Sequence, residues 1–274
     1  MILRRVSPHP FLAPHVEKMW LFESDAGIPA GDMRTIIPNG LFKMIIPYRG
    51  SLISARRGSL MRVCPEGSIS LVGLMEQPVT IDSAGPSGAI GIEFKPSSAY
   101  RFFPFSLKEV RNSVALSDEM LGRHAAEMQR RLLDMPTVEG KLASIQGYLL
   151  SMLHDSERSD PLVEWAVGEI RKSQGMVSII DLCRRSGYSK RYLEVRFADH
   201  VGLNPKLLAG IMRFQPVFRS YSQRGVVSGF PRGIPASYYD QSHFIREFKR
   251  FTGRSPGSYL NALNDFGEIF YRGT

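Results

Sequence analysis

Shifted by 51 residues, the last third of this chain lies on itself. Ser189 falls on Asp240, Leu193 on Phe244, Phe197 on Phe248, Gly202 on Gly253 and Pro205 on Pro256. Each copy offers a side chain able to cap a helix, apolar positions four apart, a glycine, and a proline preceded by Asn or Ser. Side chains four apart share one face of an α-helix. Glycine takes the left-handed conformation that ends helices, and proline suits the first position of the next. The repeat therefore predicts two equivalent short helices, each stopped by glycine and followed at once by another helix.

At 100° per residue, the second copy puts Phe244, Phe248 and Phe251 on one face. Ser242, Arg246 and Lys249 lie opposite, flanked by His243, Ile245 and Arg250, with Gln241 in the first turn. In the first copy Leu193 and Phe197 form the apolar face. Arg191, Val195 and Ala198 face out, flanked by Glu194 and Asp199. Such outer faces suit the major groove of duplex DNA. Arg bonds guanine bidentately, Gln reads adenine, Glu accepts from cytosine and Val touches the thymine methyl. Lys and Arg beside them meet phosphates, which set affinity and register. For any single helix, a charged face that merely meets water has the same composition.

Ahead of the first copy, Ser178 and Asp181 have capping spacing before Leu182 and Cys183, and Gly187-Tyr188 makes a short turn before Ser189. Helix, tight turn, helix is the helix-turn-helix arrangement, whose first helix crosses the DNA backbone while the second enters the groove. The same shift lays residues 178–186, SIIDLCRRS, on 229–237, GFPRGIPAS. In a helix interior, proline costs about 3 kcal/mol and glycine about 1 kcal/mol, against domain stabilities of about 5–15 kcal/mol. A loop is expected there. Pro216 predicts a milder break, a kink, in the connecting segment 206–222.

Residues 161–260 resemble the double helix-turn-helix domain of AraC-type (AraC/XylS) transcription regulators. The resemblance rests on YDQSHFIREFKRFTGRSP at 239–256, and on SIIDLCRRSGYSKRYLEVRF and VGLNP within 178–205, with Cys183 where the family favours Ala. More loosely, HPFLAPHVEKMW, IIPNG, GIEFKPSSAYRFF and PTVEGKLASI, within 9–145, resemble the poorly characterised regulatory domain of one branch of that family. The resemblance implies a cytoplasmic bacterial regulator, an activator that recruits RNA polymerase. Its N-terminal domain would sense a small-molecule effector or pair two subunits as a homodimer. The outer faces then assign Ser189, Lys190, Arg191 and Glu194 of the first unit, and Gln241, Ser242, Arg246, Lys249 and Arg250 of the second, to double-stranded DNA. Lys190, Lys249 and Arg250 would meet phosphates, and Arg191, Glu194, Gln241, Ser242 and Arg246 bases, in successive major grooves about 34 Å apart. The alternative is a regulator whose second unit, broken at 229–236, no longer binds DNA and which acts through protein–protein contacts.

Residues 1–96 carry short apolar runs, at 16–22, 35–37, 42–46, 69–74, 79–81 and 89–94, separated by Gly- and Pro-rich turns. That spacing predicts a barrel or sandwich. Helical patterns follow at 97–103, 117–123 and 138–153. The polar stretch HDSERSDP at 154–161 reads as a linker closing on a helix start, with Asp160 as cap and Pro161 at the first position. The expected fold is α+β with two domains: a β-rich, cupin-like barrel with trailing helices over 1–158, then an all-α double helix-turn-helix domain over 159–274. Net charge is +9, and residues 160–274 hold 17 Lys and Arg against 10 Asp and Glu, a net +7 that favours a polyanionic partner.

No run of about 18 apolar residues suggests a membrane partner, and the N-terminus has no secretory h-region. Two cysteines far apart fit a reducing cytoplasm, and the six histidines have no metal spacing. Without G-x-S-x-G, P-loop or G-x-G-x-x-G motifs, neither an enzyme nor a cofactor is expected. Trp20, Phe22, Phe42, Tyr48 and Phe94 are the aromatics that would line a sensing pocket, although plain core uses the same rings. Glu93 reads as an exposed strand-end acid, with a buried acid as the alternative.

Overall fold

The run SGAIGIEF at Ser87–Phe94 is buried at every position, so it must be covered on both faces. The computed structural model describes residues 1–28, 35–56, 58–224 and 237–260, and shows how this is done. The described strands are β1 (Ile2–Val6), β2 (Val16–Ser24), β3 (Thr35–Ile36), β4 (Phe42–Arg49), β5 (Leu52–Arg56), β6 (Ser59–Cys64), β7 (Ser70–Val72), β8 (Val79–Asp82), β9 (Ser87–Phe94) and β10 (Val114–Leu116). They form two antiparallel sheets, ordered β1-β2-β9-β4-β7-β10 and β3-β8-β5-β6. Strand β9 is inside the larger sheet, between β2 and β4.

Period-2 alternation divides the larger sheet cleanly. Trp20, Phe22, Ile45 and Ala89 point towards the smaller sheet and join Leu52, Cys64 and Val79 in one apolar cluster. Their neighbours Met19, Leu21, Met44, Ile90 and Ile92 point the other way, into a second core shared with the helices. Gly91 permits this packing, because a Cβ there would fall 2.0 Å from the Trp20 ring.

The helices are α1 (Ser117–Leu121), α2 (Arg123–Asp134), α3 (Val138–His154), α4 (Pro161–Lys172), α5 (Ile179–Ser186), α6 (Lys190–His200), α7 (Pro205–Arg224), α8 (Gln241–Thr252) and α9 (Pro256–Leu260). Asp160 caps α4 by accepting from Val163 N at 3.0 Å, with Pro161 in the first turn. Leu182, Leu193, Phe197, Leu208, Phe214, Phe244 and Phe248 continue the core that begins on the sheet.

Some expectations differ from the structure. Strands β1, β5, β6 and β10 and helix α2 were not apparent from the apolar runs. The 97–103 pattern yields only a 3-10 turn, Ala99–Arg101. Helix α7 continues through Pro216; the lost N–H is a local defect, and fully buried Phe214 and Phe218 anchor the helix on either side of it. The 229–236 stretch expected as a loop lies outside the described residues.

Candidate nucleic-acid interface

In the first unit Ser178 Oγ accepts from Asp181 N at 3.0 Å and starts α5, and Gly187, at φ +75°, ends it. Two residues on, Ser189 Oγ accepts from Tyr192 N at 3.2 Å and starts α6. The turn is therefore fixed by a left-handed glycine between two serine-based helix features. Leu193, Phe197 and His200 fix the inner face of α6. Ser189, Lys190, Arg191 and Val195 are exposed and Glu194 is half-buried, with Lys190 Nζ 3.8 Å from its carboxylate. The Tyr188 and Tyr192 rings, both largely exposed, stack at 4.9 Å beside this face.

Not every charge on α6 is available to a partner. Arg196 donates through Nε to Asp160 Oδ2 at 2.7 Å, and so ties α6 to the start of α4. Asp199 accepts from Ser106 Oγ at 2.8 Å and Lys108 Nζ at 2.9 Å, and so ties α6 to the β-rich part. Sequence alone did not distinguish Asp199 from its outward neighbours, because its partners lie about 90 residues away.

In α8, Asp240 caps by accepting from His243 N at 2.6 Å, and Gly253, at φ +79°, closes the helix. Phe244, Phe248 and Phe251 are buried, and Phe214 of α7 packs on the latter two at 5.5 and 5.1 Å. Gln241, Ser242, Arg246 and Lys249 are exposed, and among the described residues their side chains make no hydrogen bond or ion pair. Arg250 differs: it lies 3.0 Å from Glu76, on the segment between β7 and β8. Glu76 also accepts from Arg111 Nε at 2.6 Å and Asn112 Nδ2 at 3.0 Å, which holds its carboxyl below the usual carboxylate range against the opposing effect of burial. The residue expected on a phosphate is thus held by a carboxylate.

Two further contacts join the sheet to the helices. Gln215 Nε2 of α7 donates to Pro38 O at 2.7 Å, and Gly40 lies against Leu208, where a Cβ would meet the leucine at 3.1 Å. Tyr100 OH and Arg101 both reach Glu164 of α4, at 2.7 and 2.5 Å.

The aromatics proposed for a pocket separate by parity. Trp20 and Phe22 line a cavity of about 110 Å³ between the sheets. Phe42 and Phe94 sit on the opposite face, against Phe103 at 4.8 and 5.5 Å. Tyr48 is at the sheet margin, its hydroxyl donating to Glu23 at 3.0 Å. None of these three lines the cavity. Glu93 corrects the expectation of an exposed acid: it is 3% exposed and lines the same cavity.

Residues 4–115 match a family model described as a domain of unknown function (DUF6597). A search of curated proteins found no match. Among solved structures the chain is similar to ToxT from Vibrio cholerae, at 14% identity over 89% of this chain and 97% of that one, with a TM-score of 0.44. A ToxT structure with bound unsaturated fatty acid gives 14% identity over 94% and 98%, with a TM-score of 0.44. The AraC-like transcriptional activator CuxR gives 14% identity over 81% and 86%, with a TM-score of 0.26.

Proposed function

We propose that this chain is a transcription regulator of the AraC type that binds double-stranded DNA through α6 and α8. One observation carries the reading. The side chains that the 51-residue repeat turns outward on α8, namely Gln241, Ser242, Arg246 and Lys249, are exposed and, among the described residues, uncommitted, while Phe244, Phe248 and Phe251 behind them are buried. On α6, Arg191 and Val195 stand out from the same kind of anchor. Arg191, Glu194, Gln241, Ser242 and Arg246 are assigned to bases, and Lys190, Lys249 and Arg250 to phosphates. Residues 1–158 form the regulatory part and 159–274 the DNA-binding part, with the cavity between the sheets as the place for a small-molecule effector. Activation by recruiting RNA polymerase, and pairing of two chains, extend the same resemblance.

Selection of random duplexes by the full-length protein, at stated salt, tests this. Two short enriched motifs about one helical turn apart are the expected result. A single motif would restrict DNA reading to one unit. No enrichment by folded protein, with and without metabolite extracts, would overturn the proposal and favour action through protein–protein contacts.

A further inference from the structure

Lys18 on β2, Glu93 on β9 and Lys43 on β4 are register partners, a row of three across the larger sheet. All three line the cavity between the sheets, whose other walls include Trp20, Phe22, Ile45, Val72 and Met75. Glu93 is fully engaged. Trp20 Nε1 donates to it at 3.3 Å, Asn39 Nδ2 at 3.1 Å, and Lys18 Nζ lies at 3.7 Å. Lys43 is not: among the described residues its amine makes no hydrogen bond or ion pair. Ser70, on neighbouring β7, also lines this cavity.

An amine placed in apolar surroundings tends to shed its proton rather than stay charged and unpaired. Burial holds Lys43 below the ordinary lysine range, against the raising effect of Glu93, which is larger than the lowering effect of Lys18. Desolvation is one means by which a lysine amine becomes a nucleophile. The volume is close to the roughly 150 Å³ apolar cavity that holds benzene in another protein. A single ring fits it.

We propose that this cavity captures a small apolar aldehyde as an imine on Lys43. The proposal deepens the effector reading by naming the chemical class. The Lys43 nitrogen lone pair forms a bond to the carbonyl carbon, and the carbonyl π pair moves to oxygen. A proton passes from nitrogen to that oxygen to give the carbinolamine. The C–O bond then breaks, oxygen leaves with the second nitrogen proton as water, and C=N forms. No oxidant, reductant or cofactor is needed.

The test is reductive trapping on the full chain. Folded protein is mixed with benzaldehyde at neutral pH, sodium cyanoborohydride is added, and benzylated lysines are mapped by peptide mass spectrometry over time. Lys43 is expected to label ahead of exposed Lys190 and Lys206, because free amine rises about tenfold per unit of pKa depression. Lys43→Arg should remove that fast site and leave the slow ones unchanged. If that variant does not fold, the wild-type map decides alone. Labelling confined to exposed lysines would overturn the proposal. So would benzoate raising the melting temperature while benzaldehyde leaves Lys43 unmodified, which would make the site a non-covalent anion site. The readout uses no DNA, so failure of the transcription reading would leave it untouched.

Discussion

Replacing Asp160 by Ala should destabilise the protein more than its single side chain suggests. This carboxylate, 4% exposed, caps α4 and binds Arg196 of α6, and His200 Nδ1 lies 3.6 Å away. Loss of the cap costs about 1 kcal/mol. Breaking a fully buried ion pair costs about 3–5 kcal/mol, but Arg196 is about a third exposed and regains water, so about 1–2 kcal/mol applies. The sum, about 2–3 kcal/mol, lowers Tm by about 4–12 °C for a chain of this size. Asp160→Asn keeps an acceptor for Val163 N and should lose about half as much. Urea unfolding of the three proteins measures both differences. An Ala variant within about 1 kcal/mol of the parent, or an Asn variant equal to it, would refute the joint role.

Arg246→Ala should relax choice at one base position and cost about 1–3 kcal/mol on the preferred duplex, whereas Lys249→Ala should weaken all duplexes alike and reduce the salt slope by about one; competition binding at several salt concentrations separates them. Glu76→Gln should free Arg250 and tighten DNA binding by up to about fivefold, given about 1 kcal/mol for a half-exposed pair, and unchanged affinity would refute competition for that guanidinium. Ser178→Ala and Ser189→Ala should each cost about 1 kcal/mol in denaturant unfolding. His15 and His200 have pKa values lowered mainly by burial, so the unfolded chain takes up protons first. Their contribution is present above about pH 6.5 and fades as pH falls through the lowered folded values. Stability should therefore drop on acidification below about 6.5, and less steeply once both are replaced by Gln.

The elements most legible in the sequence were those whose ends are marked by local chemistry. Ser178, Ser189, Asp240, Gly187 and Gly253 act within four residues of themselves, and each takes its expected cap or left-handed conformation. Face assignment worked on α6 and α8 because each has one dry side. It failed on the larger sheet because both of its faces are dry, so apolar content could not separate Phe22 from Phe42 or Phe94. Arg196, Asp199 and Arg250 were illegible for another reason: their partners are 36, 93 and 174 residues distant. Strands β5 and β6 were missed because they mix apolar residues with Ser and Arg.

Strand β9 is a partition one residue thick. Ala89 and Glu93 line the chamber between the sheets, Gly91 faces the Trp20 ring on that side, and Ile90, Ile92 and Phe94 belong to the core under the helices. No layer of side chains separates the two compartments, so anything that displaces this ribbon moves both at once. A saturation mutagenesis scan read along 89–94 should therefore alternate in phenotype from one codon to the next. Odd positions would change what the chamber accepts, and even positions would change how firmly the helices sit.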